Sequence, residues 1–276
     1  MDEKTLLLDR IKNYPFIIRL GIFILTLGLF WLPFAVPIYY FLGEKDPNFT
    51  TIITMAILFV IFLFLVKFWG KYIYQNSHIF KYYGLVNSQK FYQNLFKGLA
   101  IGFTFTWLLF TVESLLGWVT FQPPAMAFPR LILEGFISAI AIGFAEELFF
   151  RGWLLSELER DFSLSTSAFL STLMFAIAHF IKPISEIIRT IVTFPALLLL
   201  GYTLVVAKRS HQNLLGISIG LHSGLVWGYY VLNVGEMITY LDRVPQWITG
   251  IDKNPIAGIM GLVFMSILLY IIKLKK

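Results

Sequence analysis

Residues 145–151 read Ala-Glu-Glu-Leu-Phe-Phe-Arg, which places two adjacent carboxylates and an arginine inside a run of otherwise apolar residues. An ionised carboxylate buried in hydrocarbon costs on the order of several kcal/mol, so membrane-spanning segments seldom contain one that serves no purpose. Two histidines in similarly apolar surroundings, His179 and His222, are candidate partners of this stretch. The pattern indicates a polar site within a membrane.

The composition is that of a membrane protein. Of the 276 residues, 58% are hydrophobic and 14% are charged, and the mean hydropathy is +0.75. A soluble globular protein carries about 25% charged residues. The apolar residues form long runs, which predicts an all-α, polytopic membrane protein whose solvent is mostly lipid.

Charge and cysteine content exclude several classes of function. The formal net charge of +6 is typical of cytoplasmic loops in a membrane protein, and no basic stretch interleaved with aromatic residues indicates nucleic-acid binding. The chain has no cysteine, which excludes disulfides, thiolate metal sites and cysteine nucleophiles. Acidic residues near the N-terminus and the length of the first apolar run argue against a cleavable signal peptide.

The apolar runs predict eight transmembrane helices, both termini being cytoplasmic because Lys and Arg concentrate on that side. Residues 1–15 are either an interfacial helix or a frayed tail, and residues 71–97 form a cytoplasmic connection with a short helix near 88–97. The fourth run exceeds the roughly 20 residues that a span needs, so its second half protrudes or lines a wet cavity. A single membrane domain, residues 1–276, is expected. The predicted spans are 16–42, 50–70, 98–120, 130–158, 165–180, 184–207, 212–232 and 255–272.

Three titratable side chains converge in depth. Glu146 lies about fifteen residues into the fourth run, His179 about fourteen into the fifth and His222 about ten into the seventh, each residue advancing a helix by ~1.5 Å. The three side chains are therefore expected near mid-membrane, where three helices can bring them into one site.

Helix periodicity separates the two glutamates. Small residues precede Glu147 at intervals of four (Gly135, Ala139 and Gly143), which lets another helix approach closely. Glu147 and Arg151 are also four apart and can form a salt bridge. Pairing would make Glu147 structural and leave Glu146 free for chemistry.

The histidine-bearing helices show similar faces. His179 shares a face with Thr172 and Phe175. On the seventh helix the glycines form one packing stripe, and His222 lies roughly opposite, near Ser218, Val226 and Tyr229. The stripe comprises Gly216, Gly220, Gly224 and Gly228.

These residue types are suited to activating water. A carboxylate can take a proton from water and return it to a leaving group, while imidazoles can orient water, stabilise an oxyanion or bind a metal. Glu146, His179 and His222 could together hold a zinc ion, or a metal-free glutamate–histidine pair could perform the same reaction. Both alternatives are open at this point.

The motifs resemble those of the CPBP family, the CAAX-protease and bacteriocin-processing (Abi) intramembrane proteases. The resemblance rests on Glu-Glu-x-x-x-Arg at 146–151, Phe-x-x-x-His at 175–179 and the glycine-flanked His222, and covers residues 131–232. It implies an intramembrane endopeptidase open to the cytosolic side, acting on a membrane-associated protein or peptide, which in part of the family is a prenylated CAAX protein. Glu146 and His179 would activate water and His222 would support an oxyanion or a metal, with Glu147, Arg151 and Phe175 supporting.

One position departs from the family pattern. The third motif usually continues His-x-x-x-Asn or Asp, whereas this chain has Val226. A silent scaffold or immunity protein is therefore the main alternative, and a proton-coupled transporter that uses the same Glu and His residues is another. The expected location is the plasma membrane, in contact with lipid, and the oligomeric state is open. Outside the motifs, we expect His78 and His211 on the solvated surface and Glu113 paired with a hydrogen-bond donor.

Overall fold

A computed structural model describes residues 10–274, so most of the predicted segment 1–15 lies outside the described residues. The chain divides into two compact units, one ending at Tyr82 and the other beginning at Tyr83. The first contains α1 (Phe16–Leu42), α2 (Pro47–Tyr72) and α3 (Ile79–Tyr82). The second contains α4 (Gln89–Leu115), β1 (Val119–Phe121), α5 (Phe128–Glu147), a π-helical segment (Leu148–Leu154), α6 (Leu155–Leu158), α7 (Leu164–Ala178), α8 (Ile184–Thr190), α9 (Phe194–Ser210), α10 (Leu215–Val234), β2 (Ile238–Tyr240), α11 (Gln246–Thr249) and α12 (Ile259–Lys273).

Within residues 10–274, five helical stretches are long and apolar enough to cross a membrane. They are α1, α2, α4, α10 and Ile184–Ser210, in which a 3₁₀ turn joins α8 to α9. The segments α7 and α12 are shorter apolar helices. Large apolar side chains are exposed along these helices, as lipid contact requires; Leu25, for example, is 75% exposed. The chain is therefore a helical multi-pass membrane protein, while the number of eight spans stays a prediction.

The structure corrects the prediction between residues 88 and 120. The separate short helix near 88–97 is wrong, because Gln89–Leu115 is one continuous helix that begins at the capping side chain of Ser88. Residues 119–121 form a strand that pairs antiparallel with β2, Thr120 lying opposite Thr239. The long sequence separation between the two short strands hid this pairing from local patterns.

Glycines set the contact between α4 and α10. A side chain on Gly220 would place its Cβ 2.0 Å from the carbonyl oxygen of Leu95, and one on Gly98 would lie 2.5 Å from that of Ile217. Only hydrogen fits at such positions, so the two backbones touch, as the predicted glycine stripe of α10 required.

A second close crossing joins α5 to α10. A Cβ on Gly143 would lie 2.2 Å from Ser223 Oγ and 3.0 Å from Ser223 N. Glu147 follows Gly143 by one helical turn, and His222 directly precedes Ser223. The absence of a side chain at Gly143 therefore places Glu147 beside His222.

Candidate active site

The π-helical segment Leu148–Leu154 follows the two glutamates without a break in the helix. Side chains from other helices bind two backbone carbonyl oxygens of this segment. Lys208 Nζ donates to the carbonyl oxygen of Arg151 at 2.7 Å, and Ser171 Oγ donates to that of Phe150 at 3.1 Å. Bonds from α9 and α7 thus hold the backbone that carries Arg151.

Arg151, Glu147 and His222 form a buried chain of charge-assisted hydrogen bonds. Arg151 Nη1 donates to Glu147 Oε1 at 2.8 Å, as the spacing of four predicted. His222 Nδ1 lies 2.9 Å from the same oxygen. The side chains of Arg151 and Glu147 are fully buried, and that of His222 is 5% exposed. Because a carboxylate only accepts, Nδ1 of His222 is the protonated donor.

Glu146 lies on the other side of the His222 ring. Its Oε2 is 4.0 Å from His222 Nε2, and its side chain is 31% exposed. That oxygen is itself buried and has no hydrogen-bond partner among residues 10–274. The two adjacent glutamates therefore face opposite nitrogens of one imidazole: Glu147 binds Nδ1, and Glu146 faces Nε2.

Phe175 lies between the histidines. Its ring packs under the Arg151 guanidinium at 4.2 Å, and its centroid is 4.7 Å from that of His179 and 6.1 Å from that of His222. His179 is exposed at the C-terminal end of α7. Its Nδ1 is 2.9 Å from the carbonyl oxygen of Phe175; because a carbonyl oxygen only accepts, Nδ1 donates, and Nε2 takes no part in this bond.

The donor geometry does not fit a zinc ion. Among the described residues, no three His, Asp or Glu side chains are arranged to hold a metal. Nδ1 of His179 and Nδ1 of His222 bind Phe175 and Glu147, so only Nε2 of each ring could face a metal ion. Within residues 10–274, the predicted set of Glu146, His179 and His222 is not arranged as a coordination sphere.

Val226 lines a mostly apolar cavity of about 200 Å³ together with His222 and Tyr229. The two hydroxyl side chains nearest to Val226 in the sequence have other surroundings. Ser223 is fully buried against Gly143, whereas the Tyr229 hydroxyl accepts a hydrogen bond from Asn233 Nδ2 at 3.0 Å.

Two further expectations were wrong and one residue was missed. His211 is 8% exposed and its Nδ1 lies 3.0 Å from the carbonyl oxygen of Ala207, whereas His78 is on the surface as expected. Glu113 is fully buried, and neither carboxylate oxygen has a hydrogen-bond partner within residues 10–274. The missed residue is Lys208, which the motifs do not include; it is 5% exposed and reaches the π-helical segment.

Fold and site define a multi-pass helical membrane protein with a carboxylate–histidine–arginine centre between its helices. Residues 128–238, about two fifths of the chain, match the family model described as type II CAAX prenyl endopeptidase Rce1-like. This match confirms the resemblance that the motifs predicted: over residues 128–238 the chain is similar to the CAAX proteases of the CPBP family. No curated protein and no solved structure matches the chain.

Proposed function

We propose that this protein is an intramembrane endopeptidase that hydrolyses a peptide bond of a membrane-associated protein or peptide. The observation that carries the proposal is the position of His222, held at Nδ1 by Glu147 and facing Glu146 at Nε2. The match of residues 128–238 to the Rce1-like family model supports a protease with a protein or peptide substrate. The proposal also places the protein in the plasma membrane, with both termini in the cytoplasm.

Glu146 is the proposed base. Its partly exposed carboxylate takes a proton from a water molecule as the water oxygen bonds to the scissile carbonyl carbon. The protonated Glu146 then gives that proton to the leaving nitrogen as the C–N bond breaks, which releases a carboxylic acid and an amine. His179 Nε2, which takes no part in the bond from Nδ1 to Phe175, assists in holding the water.

His222 is the proposed oxyanion donor. Arg151 carries one positive charge against two negative charges on Glu146 and Glu147, so a proton on His222 makes the cluster neutral, which a low-dielectric site favours. The protonated ring donates to Glu147 from Nδ1 and offers Nε2–H to the oxyanion. This arrangement requires no polar side chain at Val226, and it uses protein groups and water alone.

Proteolysis of a peptide library by the purified protein in liposomes tests the proposal. We expect Glu146→Gln and His222→Gln each to lower cleavage by about 10²–10³-fold, the scale of losing one catalytic acid–base or oxyanion group. His78→Gln is the matched control, because His78 is exposed and is distant in sequence from Glu146 and His222. Cleavage that survives both active-site substitutions would rule the proposal out.

A catalytically silent scaffold or immunity protein is the second candidate, and Val226 is the observation that favours it. That role predicts full biological complementation by Glu146→Gln. Loss of complementation together with loss of cleavage would support the peptidase.

A further inference from the structure

A cavity of about 200 Å³ extends from His222 along one face of α10. Val226 and Tyr229 line it about one and two turns farther along, in the direction away from the helix end that follows Lys208 and Arg209. Four residues of helix, about 6 Å, separate His222 from Val226. A substrate that reaches His222 from the end carrying Lys208 and Arg209 therefore meets this cavity directly beyond the imidazole.

Apolar side chains from four helices form most of the wall. They come from α4, α9, α10 and α12 and include Phe105, Leu109, Leu200, Leu225, Phe264 and Met265. Pockets for small ligands are lined in the same way, mainly by hydrophobic side chains with a few polar groups. Such a wall favours an apolar group, because a polar group buried against it would lose its hydrogen bonds to water.

The polar side chains in the wall already take part in hydrogen bonds. Thr106 Oγ1 donates to a carbonyl oxygen of its own helix at 3.2 Å, and Asn254 Oδ1 accepts from the backbone N–H two residues later at 3.2 Å. The Tyr229 hydroxyl accepts from Asn233 Nδ2 at 3.0 Å. The cavity therefore offers mainly apolar contact to whatever enters it.

Val226 completes the apolar wall at the turn after His222. The similar family usually has Asn or Asp at this position. An amide or a carboxylate facing this wall would need a hydrogen-bond partner, because burying a polar group without one is unfavourable. Valine needs none, so the departure from the family pattern makes the space beside His222 suitable for an apolar side chain.

The volume of the cavity limits the size of the group that fits. An apolar cavity of about 150 Å³ holds one benzene molecule, which corresponds to about 25 Å³ per carbon. At that ratio the cavity beside His222 holds about eight non-hydrogen atoms. The side chains of Leu, Met and Phe fit within that number, whereas those of Trp and of farnesylated cysteine exceed it.

We propose that this cavity is the specificity subsite for one large apolar side chain, of the size of Leu, Met or Phe, on a residue that flanks the scissile bond, and that Val226 sets its size. In the proposed mechanism His222 binds the oxyanion formed from the scissile carbonyl, so a side chain in the same cavity belongs to a residue next to that bond. The inference rests on the proposed peptidase function and deepens it, because it names the substrate feature that the site selects. It also excludes a farnesyl chain as the group bound beside His222.

A series of S-alkyl-cysteine peptides measures the size of the subsite. The peptides share one sequence and carry, at one of the two positions next to the cleaved bond, cysteine with S-alkyl chains from methyl to decyl or with S-farnesyl. The cysteine Cβ and sulfur together with a hexyl chain make about eight atoms, so we expect kcat/KM in detergent to be highest for S-hexyl. S-hexyl should exceed S-methyl by about 20–100-fold, as burial of one large apolar side chain allows, and S-farnesyl should fall well below S-hexyl.

Substitutions of Val226 should move that maximum in both directions. Val226→Ala enlarges the cavity by about two carbons and should move the maximum to about S-octyl, whereas Val226→Phe fills part of the cavity and should move it below S-butyl. Val263→Phe is the matched control, because Val263 is exposed on α12 and does not line the cavity, so the maximum should stay at S-hexyl. A maximum that neither Val226 variant moves would overturn the subsite, and so would a kcat/KM that rises steadily with chain length, as partition of the peptides into detergent would cause.

Binding separates the subsite from the peptidase. The affinities of fluorescein-labelled peptides of the series for full-length Glu146→Gln protein, measured by fluorescence anisotropy, should peak at S-hexyl and shift to longer chains in Glu146→Gln/Val226→Ala. A peak in affinity without cleavage of any peptide by the protein with Glu146 intact would refute the peptidase and leave an apolar-ligand site. Cleavage whose dependence on chain length ignores Val226 would refute the subsite and leave the peptidase.

Discussion

Glu147 Oε1 lies 2.9 Å from His222 Nδ1, although the two residues are 75 positions apart in the chain. The same oxygen accepts from Arg151 Nη1 at 2.8 Å. One buried carboxylate oxygen therefore joins the π-helical segment to α10 and sets the orientation of the imidazole. In the proposed mechanism this relationship makes Glu147 a positioning residue, one step removed from the reacting atoms.

Glu147→Gln should reduce both stability and cleavage. Breaking a buried ion pair by removing one partner leaves Arg151 charged and uncompensated, which costs about 3–5 kcal/mol. We expect a lower Tm in detergent and a fall in kcat, measured by thermal unfolding and by peptide cleavage.

A double variant separates the two effects. Glu147→Gln/Arg151→Met removes the uncompensated charge and should regain much of the Tm, yet kcat should stay low because a neutral amide stabilises a protonated His222 less than a carboxylate does. Recovery of kcat along with Tm would mean that Glu147 only stabilises the fold.

Sequence patterns predicted those parts of the site that depend on local geometry. The helix face that buries Gly135, Ala139 and Gly143 follows from a spacing of four, and so does the salt bridge from Glu147 to Arg151. These relations lie within one helix, whose periodicity is known before any packing is considered.

The contacts between different helices could not be predicted from the spacing of residues within one helix. The bond from Glu147 to His222 depends on how α10 is rotated against α5, which the crossing at Gly143 and Ser223 decides. The π-helical segment changes the direction in which the side chains after Leu148 point, and no residue type in the sequence predicts such a segment. Lys208 carries the charge typical of a loop, and only packing shows that its amine is buried.

Gly143→Ala should impair the site through the crossing of α5 and α10. The added Cβ would lie 2.2 Å from Ser223 Oγ, so the helices must separate, at a cost of about 1–3 kcal/mol. We expect a lower Tm and slower cleavage, with partial recovery in Gly143→Ala/Ser223→Gly. Gly28→Ala is the matched control, since nothing lies within 4 Å of that position; an equal effect there would contradict the explanation.

Lys208→Met should lower kcat more than it changes KM. The substitution deletes the bond from Nζ to the carbonyl oxygen of Arg151, and a hydrogen bond from a charged group contributes about 1.5–3 kcal/mol. The π-helical segment would then hold Arg151, and through it Glu147, less firmly. Lys208→Arg retains a donor and should recover part of the rate, whereas Arg209→Gln, which loses only the partly exposed pair with Glu159, should behave as the parent.

Glu113→Leu should stabilise the protein. The carboxylate of Glu113 is fully buried and has no hydrogen-bond partner within the described part of the chain. Removing an unsatisfied buried polar group of this kind relieves about 1–3 kcal/mol, so Tm should rise by several degrees while cleavage is unchanged. A loss of cleavage would instead give Glu113 a part in the reaction.

The predicted topology can be tested by cysteine labelling, because the chain contains no cysteine of its own. Glu44→Cys and Gln246→Cys place single thiols at exposed positions on the predicted outer side, and Asn87→Cys and Asp161→Cys place them on the predicted cytoplasmic side. We expect a membrane-impermeant maleimide to label the first two in intact cells and the last two only after permeabilisation, since Lys and Arg concentrate on the cytoplasmic side.

Each other labelling pattern has a definite meaning. Reversal of all four results would place both termini outside the cell. The β1–β2 end would then face the cytosol, the side on which the family resemblance implies that the site opens. Opposite labelling of Glu44→Cys and Gln246→Cys would require an odd number of crossings between them and would exclude eight spans. The expected pattern places Gln246 on the outer face, so a cytosolic opening of the site would lie at the end that carries Lys208 and Arg209.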